Sequence, residues 1–143
     1  MAAVKVEGEK LLQRAFNTFA LNLDKAIDDA VRITAVKVNQ AAINSIKIPS
    51  TSGVFVKSSV SDALHEVSED GEAPNTDSGR LIQSITFTHQ RGSKVAFVGT
   101  DLDYGAILET EMNRPWLEPA KESETANFAA NMKQAIIRQV EKA

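Results

Sequence analysis

The run from Asp77 to Thr100 restricts the fold of this chain more than any other stretch. It reads Asp-Ser-Gly-Arg-Leu-Ile-Gln-Ser-Ile-Thr-Phe-Thr-His-Gln-Arg-Gly-Ser-Lys-Val-Ala-Phe-Val-Gly-Thr, and it is the one hairpin signal that stands out. Asp77 or Ser78 offers a side-chain oxygen to cap a short helix carrying Leu81, Ile82 and Ile85. Ile85 and Phe87 then alternate with Thr86 and Thr88, giving a strand with one apolar face. Gly92-Ser93 suits a two-residue turn with glycine first. The return strand, Val95-Ala96-Phe97-Val98, is apolar on both faces, so both sides of the sheet need cover there. One helix layer supplies one cover. The other has to come from a second helix layer, from the long loop or from another subunit.

Helical spacing dominates on either side of this hairpin. Val4 to Glu7 alternates apolar and charged residues, as a short extended segment would. Leu12, Phe16, Phe19, Leu23, Ile27, Val31, Val38, Ala42 and Ile46 then recur at three and four residues. Asn22 or Asp24 is able to cap a second helix, so the spacing predicts helices over about 9–20 and 23–46, ended by Pro49. After the hairpin, Asp103 is placed to cap a short helix with Tyr104, Ile107 and Leu108. Pro119 fits the first turn of a last helix running to about Val140, with Ala120, Phe128, Met132, Ile136 and Val140 as its buried stripe. The expected fold is α+β: a small antiparallel sheet centred on the 85–100 hairpin, packed by a long N-terminal helix, or two, and by a C-terminal helix. The 143 residues fit one domain. Between 48 and 76 the chain is poor in periodic apolar residues, and a loop of that length is functional or disordered as a rule. Its Val54-Phe55-Val56 run is too short to stand alone and is expected to pair with the central sheet or with a neighbouring chain; otherwise the loop is mobile until assembly.

Composition narrows the chemistry. There is no cysteine, which excludes disulfides, thiolate metal sites and a cysteine nucleophile. No apolar run approaches the length of a spanning helix, and the first residues lack the basic region and apolar core of a secretion signal, so the expectation is a protein made in the cytoplasm with no membrane partner. A net charge of -3 argues against a dedicated nucleic-acid binder. His65 and His89 have no metal-ligand spacing around them, and Asp101 and Asp103 read as turn and capping residues. Neither a phosphate-binding loop nor a Gly-x-Ser-x-Gly elbow is present. No catalytic, cofactor-binding or metal set emerges. From Ser58 to Gly79 there are six acids, Asp62, Glu66, Glu69, Asp70, Glu72 and Asp77, and no lysine or arginine. Arg114 and Trp116 sit beside prolines, where they read either as an interface anchor or as a core plug with a surface ion pair.

Five short segments carry a resemblance. They are Val6-Glu7-Gly8, Ser78-Gly79-Arg80-Leu81 with Ser84-Ile85, Val98-Gly99-Thr100, Tyr104-Gly105-Ala106 with Glu109 beyond it, and Arg114-Pro115-Trp116-Leu117 with Pro119-Ala120. In this order the chain resembles the head-to-tail joining, or tail-completion, proteins of long-tailed bacteriophages. Two steps depart from the family pattern: Thr110-Glu111 stands where a Gly-Thr pair is common, and Asp77-Ser78 precedes the Gly-Arg-Leu step. The resemblance implies a non-enzymatic virion component of the neck, without cofactors. It would form a ring of six around the DNA path, between a head connector or head-completion protein and a tail-tube or tail-terminator protein, with the DNA passing through unbound. Candidate subunit-interface residues are Val54, Phe55, Val56, Gly79, Arg80, Val95, Phe97, Arg114 and Trp116. Glu66, Glu69, Asp70 and Glu72 are candidates to line a channel from which phosphates are repelled. A tail-tube terminator or other minor tail protein is the nearest alternative. A small hydrolase or nuclease using Asp62, Glu69, Asp70 and Glu72 is the alternative of another class.

Overall fold

Helix α1 (Glu9–Lys47) winds 39 residues without a break, a rod of about 58 Å at the helical rise. The computed structural model describes residue 3 and residues 7–142, so the extended segment expected from Val4 lies, apart from Glu7, outside the described residues. The interruption expected at Leu21 to Asp24 does not occur. Leucine is a strong helix former, and asparagine or aspartate inside a helix costs only about 0.7 kcal/mol each. Asp24 also has a use in the helix, because its carboxylate holds Lys94 Nζ at 2.8 Å. Pro49 ends the helix as its chemistry requires: Ile48 is extended, at φ -86 and ψ 108.

Helix α4 (Glu118–Lys142) runs antiparallel to α1. Ala120 and Trp116 meet Ala42 and Ile46 near one end of the pair, and Gln139 and Lys142 lie by Arg14 and Phe19 near the other. Two short helices, α2 (Arg80–Ser84) and α3 (Asp103–Thr110), close the core end. The core consists of Val38, Ala42 and Ile46 from α1, Leu81 and Ile85 around α2, and Trp116 and Ala120. It is therefore off centre. No residue of α1 before Asp28 is buried, and Ala120 is the one buried residue of α4.

Strands β3 (Thr86–His89) and β4 (Ala96–Gly99) form the expected antiparallel hairpin, with Phe87 opposite Val98 and Thr88 opposite Phe97. Phe87, His89, Ala96 and Val98 share the face turned to α1, while Thr86, Thr88 and Phe97 share the outer face. The connection is longer than the two residues expected. Six residues, Gln90 to Val95, separate the strands, and the tight turn within them is closed by Ser93 N–H donating to Gln90 O at 3.0 Å. Gly92 supplies φ +84 at its third position, an angle a side chain resists. Asp77 and Asp103 do not cap α2 and α3: Gly79 in the left-handed region and Leu102 hold those positions.

The stretch from 48 to 76 is not structureless. Strand β1 (Phe55–Lys57) pairs antiparallel with β2 (Leu64–Glu66), a second small sheet made inside the loop itself. Phe55 and Val56 therefore pair inside the loop rather than with the central sheet. Asn75 braces this hairpin from behind. Its amide donates to Ser50 O at 2.7 Å and Glu66 O at 3.0 Å, and its oxygen accepts from Ser50 N at 2.8 Å. Ser52 Oγ donates to Val67 O. A serine-rich loop thus replaces apolar burial with hydrogen bonds.

Candidate interaction surfaces

Two inner nodes set the positions of the surfaces. At the first, Trp116 is 2% exposed and its indole N–H donates to Gly105 O at 2.9 Å. Gly105 is buried in α3, where a Cβ would stand 2.6 Å from Thr100 Cγ2 and 3.1 Å from Leu81 Cδ1. Only glycine lets α3 approach this closely. Glu109, one turn on, accepts from the amides of Trp116 at 2.7 Å, Leu117 at 3.0 Å and Glu118 at 2.9 Å, so one carboxylate caps the start of α4. Trp116 is accordingly the core plug and offers no surface to a neighbour.

The second node was not legible as a site. Asp28 of α1 is buried, and its carboxylate accepts from His89 Nε2 at 2.9 Å, Gly92 N at 2.8 Å and Lys94 N at 2.9 Å. The Gly92 amide above all, helped by the His89 ring and the Lys94 amide and opposed by desolvation, lowers its pKa to about 2. An ionised carboxylate only accepts, so His89 Nε2 carries the proton of this contact. Lys94 sits at φ 56, a costly angle for a side chain that this pair of contacts from Asp28 and Asp24 maintains. The one sequence signal was an aspartate inside the apolar stripe, next to Ile27 and ahead of Val31.

The remaining interface candidates separate into different surroundings. Val54, Phe55 and Val56 are exposed on the β1–β2 hairpin, with Phe55 54% open to solvent. Phe55 and Leu64 share its outer face, while Val56 and His65 share the other. On the main sheet Val95 is exposed and Phe97 is 71% open on the outer face. Within the chain, β4 is covered on one side, by α1, and an open apolar recess lies between Ala96, Val98, α1 and the start of α4. Gly79 turns the chain at φ 78, and Arg80 beside it is exposed. Arg114 points inward, pairing with Asp70 and donating to Met112 O at 3.0 Å.

That pairing also alters the acidic set. Asp70 is neutralised by Arg114, and Glu66 Oε1 accepts from Gly53 N at 2.8 Å. Glu69 and Glu72 remain exposed along a shallow recess with Ser45 and Thr51. Asp62 pairs with Lys57 at 3.4 Å. Asp77 is occupied by Ser58 and Ser59, whose hydroxyls and amide lower its pKa to about 2. Asp62 and Asp70 are thus held in separate ion pairs while Glu69 and Glu72 share one recess, and no group of three or more potential metal ligands occurs among the described residues. No helix among the described residues is long and apolar enough to cross a membrane.

A chain of 15.5 kDa folded as a compact monomer exposes about 7,200 Å². This one exposes 10140 Å², about 2,900 Å² more than that expectation. Large apolar side chains are exposed on the two hairpins and at Leu11, Leu12, Phe16 and Val140 of the long helices. Comparison with family models, with curated proteins and with solved structures finds no match.

Proposed function

We propose that the protein is a structural component of the bacteriophage neck, which completes the tail and joins it to the head connector as a ring of subunits around the DNA path. The observation that carries this reading is the meeting of four of the resembling segments at one node. Leu81, Thr100, Gly105, Glu109, Trp116 and Ala120 come from all four, and they interlock through the indole hydrogen bond, the glycine contact and the carboxylate cap. Short matches arising by chance have no reason to serve one another in this way. The apolar side chains left exposed on the two hairpins support assembly, since apolar groups gathered on one face mark interaction sites. Glu69 and Glu72 are the acids left to face a channel and repel phosphate.

Particles labelled with an antibody to the protein test the reading. Label concentrated at the head–tail junction is expected, and label along the tail shaft, at the distal tip or absent from virions overturns it. Loss of the protein is expected to leave filled heads beside unjoined tails of normal length. Overlong tails would instead identify a protein that stops tube growth.

A further inference from the structure

We infer that the subunits join head to tail through the outer face of the β1–β2 hairpin of one copy and the outer face of the β3–β4 sheet of the next. This rests on the ring reading in that it requires self-association, but the contact itself comes from the two surfaces. Each is a two-stranded antiparallel sheet with open edges and bare aromatic and aliphatic side chains. Phe55 and Leu64 stand together on the hairpin, with Leu64 71% exposed. On the sheet, Val95, Phe97 and Thr88 border a depression at the turn end. A projecting aromatic and a depression of the same polarity are complementary shapes.

Charge selects this pairing over like with like. Glu66 is the cross-strand partner of Phe55, and Lys57, opposite Leu64 on the same face, is paired with Asp62, so Glu66 is the carboxylate without an ion pair among the described residues beside the projecting patch. Arg91, on the turn beside Gln90 of the depression, has no ion pair among the described residues, whereas Lys94 is held by Asp24. Hairpin against hairpin would oppose acid to acid, and sheet against sheet base to base. A contact between two different patches cannot close on itself as a dimer; it repeats as a ring or a filament. The area agrees. Each subunit in a ring makes the contact twice, burying about 1,600 Å² at about 800 Å² a side, which fits within the excess it exposes.

Sedimentation of the purified full chain tests the contact, with wild type compared against Phe55→Glu and Phe97→Glu. Both residues are exposed, so unchanged melting is expected; Leu64→Glu and Val95→Glu form a second pair on the same patches. Wild type is expected to associate and each variant to sediment as the 15.5 kDa subunit. An equimolar mixture of Phe55→Glu and Phe97→Glu retains one intact hairpin and one intact sheet, and is expected to give a heterodimer of twice that mass and nothing larger. Single variants that associate like wild type, a mixture that stays monomeric, or a wild type that never associates would each overturn the contact. Neck labelling reads out separately: labelled necks with normally associating variants reject this contact alone, whereas the heterodimer with unlabelled necks rejects the neck role alone.

Discussion

At the scale of single residues, the structure depends on polar groups placed where only one geometry satisfies them. Asp28 gathers three donors, one from the end of β3 and two from the turn after it, and so fixes the hairpin on α1. Asp28→Ala strands those donors, and the melting temperature is expected to fall by at least about 5 °C. The acid response follows from the same carboxylate. Its pKa falls from 3.8 to about 2 on folding, as does that of Asp77. Both contributions are complete above about pH 4 and are lost as the pH falls through 2. Urea midpoints measured from pH 5 downward should therefore drop across that window, and less steeply in Asp77→Asn. Gly105 answers to sterics instead. Gly105→Ala forces a methyl into the side chains of Thr100 and Leu81, with an expected loss of about 1–3 kcal/mol in chemical denaturation.

At the scale of elements, what could be read from the sequence was whatever neighbouring residues decide. Pro49 ended α1 and Pro119 opened α4 within a residue or so of expectation, because proline acts on its own turn. The apolar stripe gave the helical period, yet Asn22 and Asp24 did not break it, since the helix alongside outweighs a small propensity cost. The β1–β2 hairpin was hidden because its strands have three residues each and its stability comes from Asn75 and the serines rather than from apolar alternation. Asp28 was hidden for a related reason: its partners lie 61 to 66 positions later in the chain. Asn75 offers the test at this scale. Asn75→Ala removes the brace, and exchange at the Ser50 and Val67 amides is expected to accelerate about tenfold while the amides of Val38 to Ile46 hold their protection. Glu109 plays the equivalent part for α4. With three amides released, Glu109→Ala is expected to cost about 1–2 kcal/mol of stability.

At the scale of the whole molecule, the off-centre core divides the fold into a firm end and a long two-helix arm. Burial in α1 begins at Asp28, and in α4 it is confined to Ala120. Beyond those points the helices hold each other through half-buried side chains such as Phe19 and Gln139, while Leu11, Leu12, Phe16, Ile137 and Val140 face solvent. Two helices with little shared apolar burial gain little over their own marginal propensity. The arm therefore opens at a lower free energy than the core, as a unit that includes both chain ends of the fold. Hydrogen exchange on the free subunit is expected to show amides of Leu12 to Asn22 and of Gln134 to Gln139 at least about 100-fold less protected than those of Val38 to Ile46. Uniform protection along α1 would show that the arm is held as firmly as the core. If the subunits assemble as proposed and neighbours cover the arm, the same amides are expected to slow toward core values. Their exchange then reports assembly at a place distinct from the proposed hairpin contact, and the two surfaces can be followed independently in one experiment.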